Sequence, residues 1–311
     1  MEYRELGRTG LKPSVIGFGC NNIAARGRSR REVVATLEAA LDQGVTYFDT
    51  ADRYSFGASE RLLGEVVRGR REQVIICSKA GHPLGPRQRL KDLLKPWARR
   101  LKRSKAGTRV VASVRDSFEQ HIFEPAYIGQ AIEASLRRLG TDYLDVFLLH
   151  NPPAPVILDG AVFEAVRRAR ERGLIRHYGV SIPQVMLHQE DALSRLLADP
   201  ELGVLQTRLN VRNRAAAGKL LARAAEQQIG IVTFEPLGKG ELISDPKMRD
   251  ALSAQPGRTA AQTALRFAMA QPRVSVVLVG TTQRRHLDED LAALASPTLS
   301  AEELQRLAAL A

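Results

Sequence analysis

Short apolar runs recur eight times along this chain, at residues 14–19, 46–48, 73–78, 144–149, 175–180, 203–206, 230–234 and 274–279. Each is short enough to be a strand, and most of the stretches between them return apolar residues at intervals of three and four. Strands alternating with amphipathic helices through a whole chain imply βα units around a parallel sheet. Ile128, Ile132, Leu136 and Leu139 show the helical spacing, and Gly140 is placed to end that segment. Eight such units close a sheet on itself, so the sequence predicts an α/β fold, a (β/α)8 TIM barrel. The 311 residues fit a single barrel domain spanning 1–311, with no linker between halves. Residues 3–15, which contain Gly7 and Gly10, predict an N-terminal β-hairpin plugging the barrel floor, and residues 299–310 a terminal helix.

One connection breaks the rhythm. Nearly fifty residues separate the third run from the helix that begins near Tyr127, which implies an inserted loop at about 82–123. The chain carries 46 Lys and Arg against 34 Asp and Glu, a formal charge of +12. Residues 82–117 hold eleven Lys or Arg and two Asp, a net +9, so the rest of the chain is left with +3. Within the insertion Leu90, Leu93, Leu94, Trp97 and Leu101 fall at helical spacing, giving a basic amphipathic segment. Three readings stay open: a solvated surface loop, a lid over the barrel mouth, or a docking surface for an anionic substrate, lipid or acidic partner. No base-reading motif accompanies the charge, so no specific nucleic-acid partner is expected. Two cysteines, Cys20 and Cys77, suit small buried positions in a reducing compartment. With no apolar leader and no spanning run of about 18 residues, a cytoplasmic location is expected.

In a βα barrel the chemistry lies where the strands end at their C-terminal side. The second run ends in Asp49, the third in Lys79 and the fourth in His150, and Tyr54 follows Asp49 by five residues. A carboxylate, an ammonium, an imidazole and a phenol at one mouth form a proton-transfer set. A neighbouring ammonium favours phenolate, so Lys79 is expected to lower the Tyr54 pKa, with Asp49 holding Lys79 charged and in place. Asp49 and Lys79 could instead be a plain structural ion pair, a reading the matching positions of Tyr54 and His150 make less attractive. The sequence has no Cys/His cluster with the three or four ligands that zinc requires, so no metal site is expected.

These residues and their flanking motifs resemble the aldo-keto reductase superfamily over nearly the whole chain, the insertion excepted. The resemblance is carried by Phe48-Asp49-Thr50-Ala51 with Tyr54, Ser59-Glu60 and Gly64, by Lys79, and by Leu136 to Asp145. It continues through Leu148-Leu149-His150, Gly179-Val180-Ser181, Gln206, Asn210, Pro236-Leu237-Gly238, and Val279 to Thr282 followed by Glu289. It implies a catalytic set of Asp49, Tyr54, Lys79 and His150, with Tyr54 the general acid in carbonyl reduction. It also implies a nicotinamide cofactor bound across the barrel mouth without a Rossmann domain, and the region after Gly17 indeed lacks a third glycine for that fingerprint. By the same resemblance Ser181 and Gln206 hold the carboxamide and Phe234 stacks on the ring. Pro236, Leu237, Gly238, Gly280, Thr281, Thr282 and Glu289 complete the cofactor site, and Arg284 and Arg285 supply cations for a 2′-phosphate, which favours NADP(H).

Several positions depart from the family pattern. Ile182 follows Ser181 where an asparagine is usual, Phe234 replaces a tyrosine, and Asp290 and His286 replace an asparagine and an arginine. Glu235 stands where a serine is common, and is expected to point away from a diphosphate or to pair with Lys239. The expected function is an NADPH-dependent reductase of small aldehydes or ketones. The alternative is a cofactor-binding regulatory or sensor subunit with little turnover.

Overall fold

The computed structural model describes residues 1–82, 121–254 and 257–310. Its eight strands are β1 (Ile16–Gly19), β2 (Tyr47–Asp49), β3 (Ile75–Ala80) and β4 (Leu144–His150), then β5 (Ile175–Ile182), β6 (Leu202–Arg208), β7 (Gly230–Phe234) and β8 (Val274–Val279). They pair in parallel in chain order, and β8 returns to β1 to close the barrel. The strands lie within two residues of the expected runs at either end. The helix Pro125–Leu139 starts with proline, which needs no N–H partner there, and stops at Gly140 in the left-handed region (φ 67°). Among the described residues no helix is long and apolar enough to cross a membrane.

Two apolar layers follow from the alternation of the strands. One lies between sheet and helices; the other fills the barrel interior with Tyr47, Cys77, Val146, Leu148, Val204, Val232, Val276 and Leu278. Leu6 enters that inner layer from below, fully buried, and so plugs the floor as the sequence suggested. Its hairpin is held by the antiparallel bridge between Tyr3 and Ser14 and by the Leu6 N–H donating to Leu11 O at 2.9 Å. Gly7 must be glycine: its φ is 56°, and a Cβ would lie 2.2 Å from the Gly230 nitrogen. Cys20 and Cys77 are both buried free thiols, and burial pushes both pKa values up, away from reactivity.

The insertion leaves after β3 and returns before the helix Pro125–Leu139. Its basic amphipathic stretch lies outside the described residues. Its two ends are fastened together: the Ile122 N–H donates to Gly81 O at 3.0 Å, and the Tyr127 hydroxyl donates to His82 O at 2.8 Å. The Phe123 ring occupies the space where a Gly81 side chain would stand.

Behind β3 a polar group fixes the outer face of the site. Glu60 is completely buried, accepts from Ser78 Oγ at 2.7 Å, and pairs with Arg138 Nε at 2.5 Å. Removing one member strands a buried carboxylate, so Arg138→Met is expected to cost about 3 kcal/mol or more. Urea denaturation followed by circular dichroism measures it. The double variant Glu60→Gln with Arg138→Met should recover part of the loss, and a single-variant cost below about 1 kcal/mol would show that water screens the pair.

Candidate active site

Strand register brings the candidate residues to one rim. Asp49 pairs in register with Cys77, Lys79 with Leu148, His150 with Ser181, and Ser181 with Gln206, so β2 to β6 present their ends side by side. Lys79 is 1% exposed, and its Nζ donates to Asp49 Oδ1 (2.8 Å), Asp49 Oδ2 (2.7 Å) and Thr50 O (2.7 Å). All three ammonium protons are therefore used. Gln206 Nε2 adds a further bond to Asp49 Oδ1 at 2.7 Å. Tyr54 opens a short turn just after β2, with Lys79 Nζ 5.2 Å from the centre of its ring. His150 meets that ring nearly at right angles, 6.1 Å between centres. The structure thus brings Asp49, Tyr54, Lys79 and His150 together.

Electrostatics sort their protonation states. Burial opposes the Lys79 ammonium, but the Asp49 carboxylate outweighs it and the net shift is upward, so Lys79 stays charged. Tyr54 corrects the sequence expectation. Burial disfavours its phenolate more than Lys79 favours it, and its pKa is pushed up to about 12 rather than down. The phenol therefore holds its proton at neutral pH. His150 is held well below the usual histidine range, first by burial and then by Lys79, His82, Arg53 and His121, so it stands as a neutral imidazole. Its Nδ1 is buried with no hydrogen-bond partner, and the His82 ring packs edge-on against it at 4.8 Å.

The four side chains line a cleft of about 1700 Å³ across the barrel mouth. That exceeds the roughly 300–1,000 Å³ of an ordinary small-molecule pocket, leaving room for a large cofactor and a substrate together. Ser181, Gln206, Phe234, Pro236, Leu237, Gly280, Thr281 and Glu289 line it as the sequence suggested. Gly238, Thr282, Arg284 and Arg285 are not among the lining residues. Arg284 Nε binds Asp288 at 2.8 Å and Arg285 Nε donates to Gln283 Oε1 at 2.9 Å. Glu235 does pair with Lys239 (3.5 Å), but its nearer partner is Arg208 Nε at 2.7 Å.

Sequence reasoning missed several lining residues: Asn22, Arg26, Arg53, Asn151 and Lys239. Backbone conformation marks some of them. Among the described residues seven non-glycines have positive φ, and Ser55, Phe56, Asn151, Glu235 and Lys239 all line this cleft. Such strain is retained where the surrounding structure enforces it, typically at a functional site. Asn151 also sits within 3.5 Å of Ser181 Oγ, which brings a second polar side chain to the β4–β5 rim. Among the described residues no group of three His, Cys, Asp or Glu side chains is arranged to hold a metal ion.

Comparison with known proteins agrees with this geometry. The model of the Aldo/keto reductase family matches residues 15–311. The Bacillus subtilis oxidoreductase YqkF is 25% identical, covering 99% of this chain and 95% of its own. Among solved structures, the holo form of aldo-keto reductase AKR11C1 from Bacillus halodurans superposes with a TM-score of 0.79 at 24% identity, covering 100% of this chain and 96% of that one, a likeness of fold. An aldo/keto reductase from Klebsiella pneumoniae, solved in complex with NADP and acetate, gives a TM-score of 0.74 at 25% identity, covering 100% of this chain and 95% of that one.

Proposed function

Since the chain belongs to the aldo/keto reductase family, we propose that it is an NADP(H)-dependent reductase of small aldehydes or ketones, with Tyr54 as the proton donor. The observation that carries this reading is the buried Asp49–Lys79 pair beneath the Tyr54 ring, with neutral His150 alongside, at the wall of one large cleft. The cofactor, when bound, supplies a hydride to the carbonyl carbon. Tyr54 Oη gives its proton to the carbonyl oxygen, and Lys79 lowers the energy of the phenolate left behind. Asp49 keeps Lys79 charged and fixed, while His150 orients the carbonyl oxygen without competing as an acid.

The residues present suit such a cofactor. Ser181 and Gln206 would hold its carboxamide, and Phe234 would stack on its ring. Pro236, Leu237, Gly280, Thr281 and Glu289 would line its path, with Gly238 and Thr282 in the adjoining turns and Arg284 and Arg285 at the start of the helix after β8. Arg208 and Lys239 neutralise Glu235, so that carboxylate does not oppose a diphosphate as a bare charge. Lys239 and His286 both stand on the cleft wall.

The test is NADPH oxidation in the presence of an aldehyde such as 4-nitrobenzaldehyde. Binding of NADPH with no multiple turnover on any aldehyde or ketone would defeat the proposal. The pH profile gives a second check. Because the Tyr54 pKa lies near 12, the acid form persists from pH 6 to 9 and kcat/KM for reduction should stay flat across that window. Alcohol oxidation needs the phenolate and should rise about tenfold per pH unit over the same range.

A further inference from the structure

The cleft wall carries charges that the proposed chemistry leaves unused. Its lining cations are Arg26, Arg53, Lys79, Arg208 and Lys239, and its lining acids are Asp49, Glu235, Glu289 and Asp290. Lys79 is spent on Asp49, and Arg208 and Lys239 are spent on Glu235. Glu289 and Asp290 lie on the helix Arg284–Ala292 that follows β8, away from the β2 and β4 ends that carry Tyr54 and His150. Arg26 and Arg53 make no ion pair with any acid among the described residues.

Arg53 immediately precedes Tyr54, and its charge reaches both His150 and His82. Its nearest acid in sequence, Asp52, touches it electrostatically but makes no ion pair with it. Asp52 is fully buried with both carboxyl oxygens lacking a partner, and burial, then Glu60, pushes its pKa up to about 8, so it is largely neutral at pH 7. Arg26 stands on the loop after β1, which is tied to the same corner: the Cys20 N–H donates to Asp49 O at 2.8 Å and Ser59 Oγ donates to Cys20 O at 2.8 Å. Two guanidinium groups with no ion pair among the described residues therefore line the cleft, Arg53 beside Tyr54 and Arg26 on the loop after β1, and a guanidinium matches a carboxylate or phosphate in shape and charge.

We propose that the preferred substrate is an anionic carbonyl compound, an aldehyde or ketone bearing a carboxylate or phosphate, whose charged group is met by Arg53 with help from Arg26. The inference rests on the reductase reading above and names the substrate class of the same site.

The experiment compares charged and neutral versions of one aldehyde at low salt with NADPH: 4-carboxybenzaldehyde against its methyl ester, and glyceraldehyde 3-phosphate against glyceraldehyde. The ratio of kcat/KM, anionic over neutral, should be about tenfold or more for at least one pair. The first pair reports a carboxylate and the second a phosphate. Arg53→Gln should lower the favoured ratio about tenfold, and Arg53→Lys should restore part of it. Comparing ratios between wild type and variant cancels the intrinsic reactivity of the aldehydes. Raising the salt concentration to about 0.3 M should narrow the wild-type ratio. Turnover of neutral aldehydes with no preference in either pair, or a ratio that Arg53→Gln leaves unchanged, overturns the inference and leaves the reductase reading standing. Absence of turnover on all four aldehydes while NADPH binds overturns the reductase reading and the inference with it.

Discussion

Replacing Tyr54 with phenylalanine should lower kcat for aldehyde reduction by about 10²–10⁴-fold, the usual range for loss of a positioned general acid. The change removes one hydroxyl and keeps the ring that packs beside Lys79 and His150. No neighbour can take over. His150 is held neutral by burial and by Lys79. Lys79 has all its protons committed to Asp49 and Thr50, and its pKa lies above its ordinary value. NADPH affinity, measured by titration calorimetry, should change by less than about twofold, because the hydroxyl is not required to hold the cofactor. A variant that binds NADPH and reduces aldehydes within about threefold of the wild-type rate would remove Tyr54 from the chemistry.

The barrel was legible because its signal is repeated. Eight apolar runs with helical spacers leave little freedom, and the strand ends followed from the same runs. The polar residues at the ends of β2, β3 and β4 were legible for a related reason, since a charged residue closing an apolar run must sit at a rim. Three things were not. The protonation state of Tyr54 depends on a balance between burial and a nearby charge, and the sequence shows the neighbour but not the burial. The surroundings of Arg284 and Arg285 were not legible because pairing is a property of side-chain geometry: Asp288 and Gln283 sit within reach on the same helix and its cap. Arg26 and Arg53 were overlooked among many arginines, because only the folded cleft separates cations that have partners from those that lack them.

Lys79→Met should show two losses that can be separated. It strands the Asp49 carboxylate, 3% exposed, inside the barrel mouth, and breaking a buried pair in this way costs about 3–5 kcal/mol of stability. It also removes the charge that favours the Tyr54 phenolate, which should cut turnover per folded molecule by about 10²–10³-fold. The double variant Asp49→Asn with Lys79→Met distinguishes them. Asparagine keeps an acceptor for Gln206 Nε2 but carries no charge to strand, so stability by urea denaturation should return most of the way. Turnover should not return, because the ammonium beneath Tyr54 is still missing. If activity recovers in step with stability, the Asp49–Lys79 pair is structural and the proton donor must draw its assistance from elsewhere in the cleft. If stability recovers alone, the pair has a chemical role, and the buried ammonium acts on Tyr54 through the 5.2 Å that separates it from the phenol ring centre.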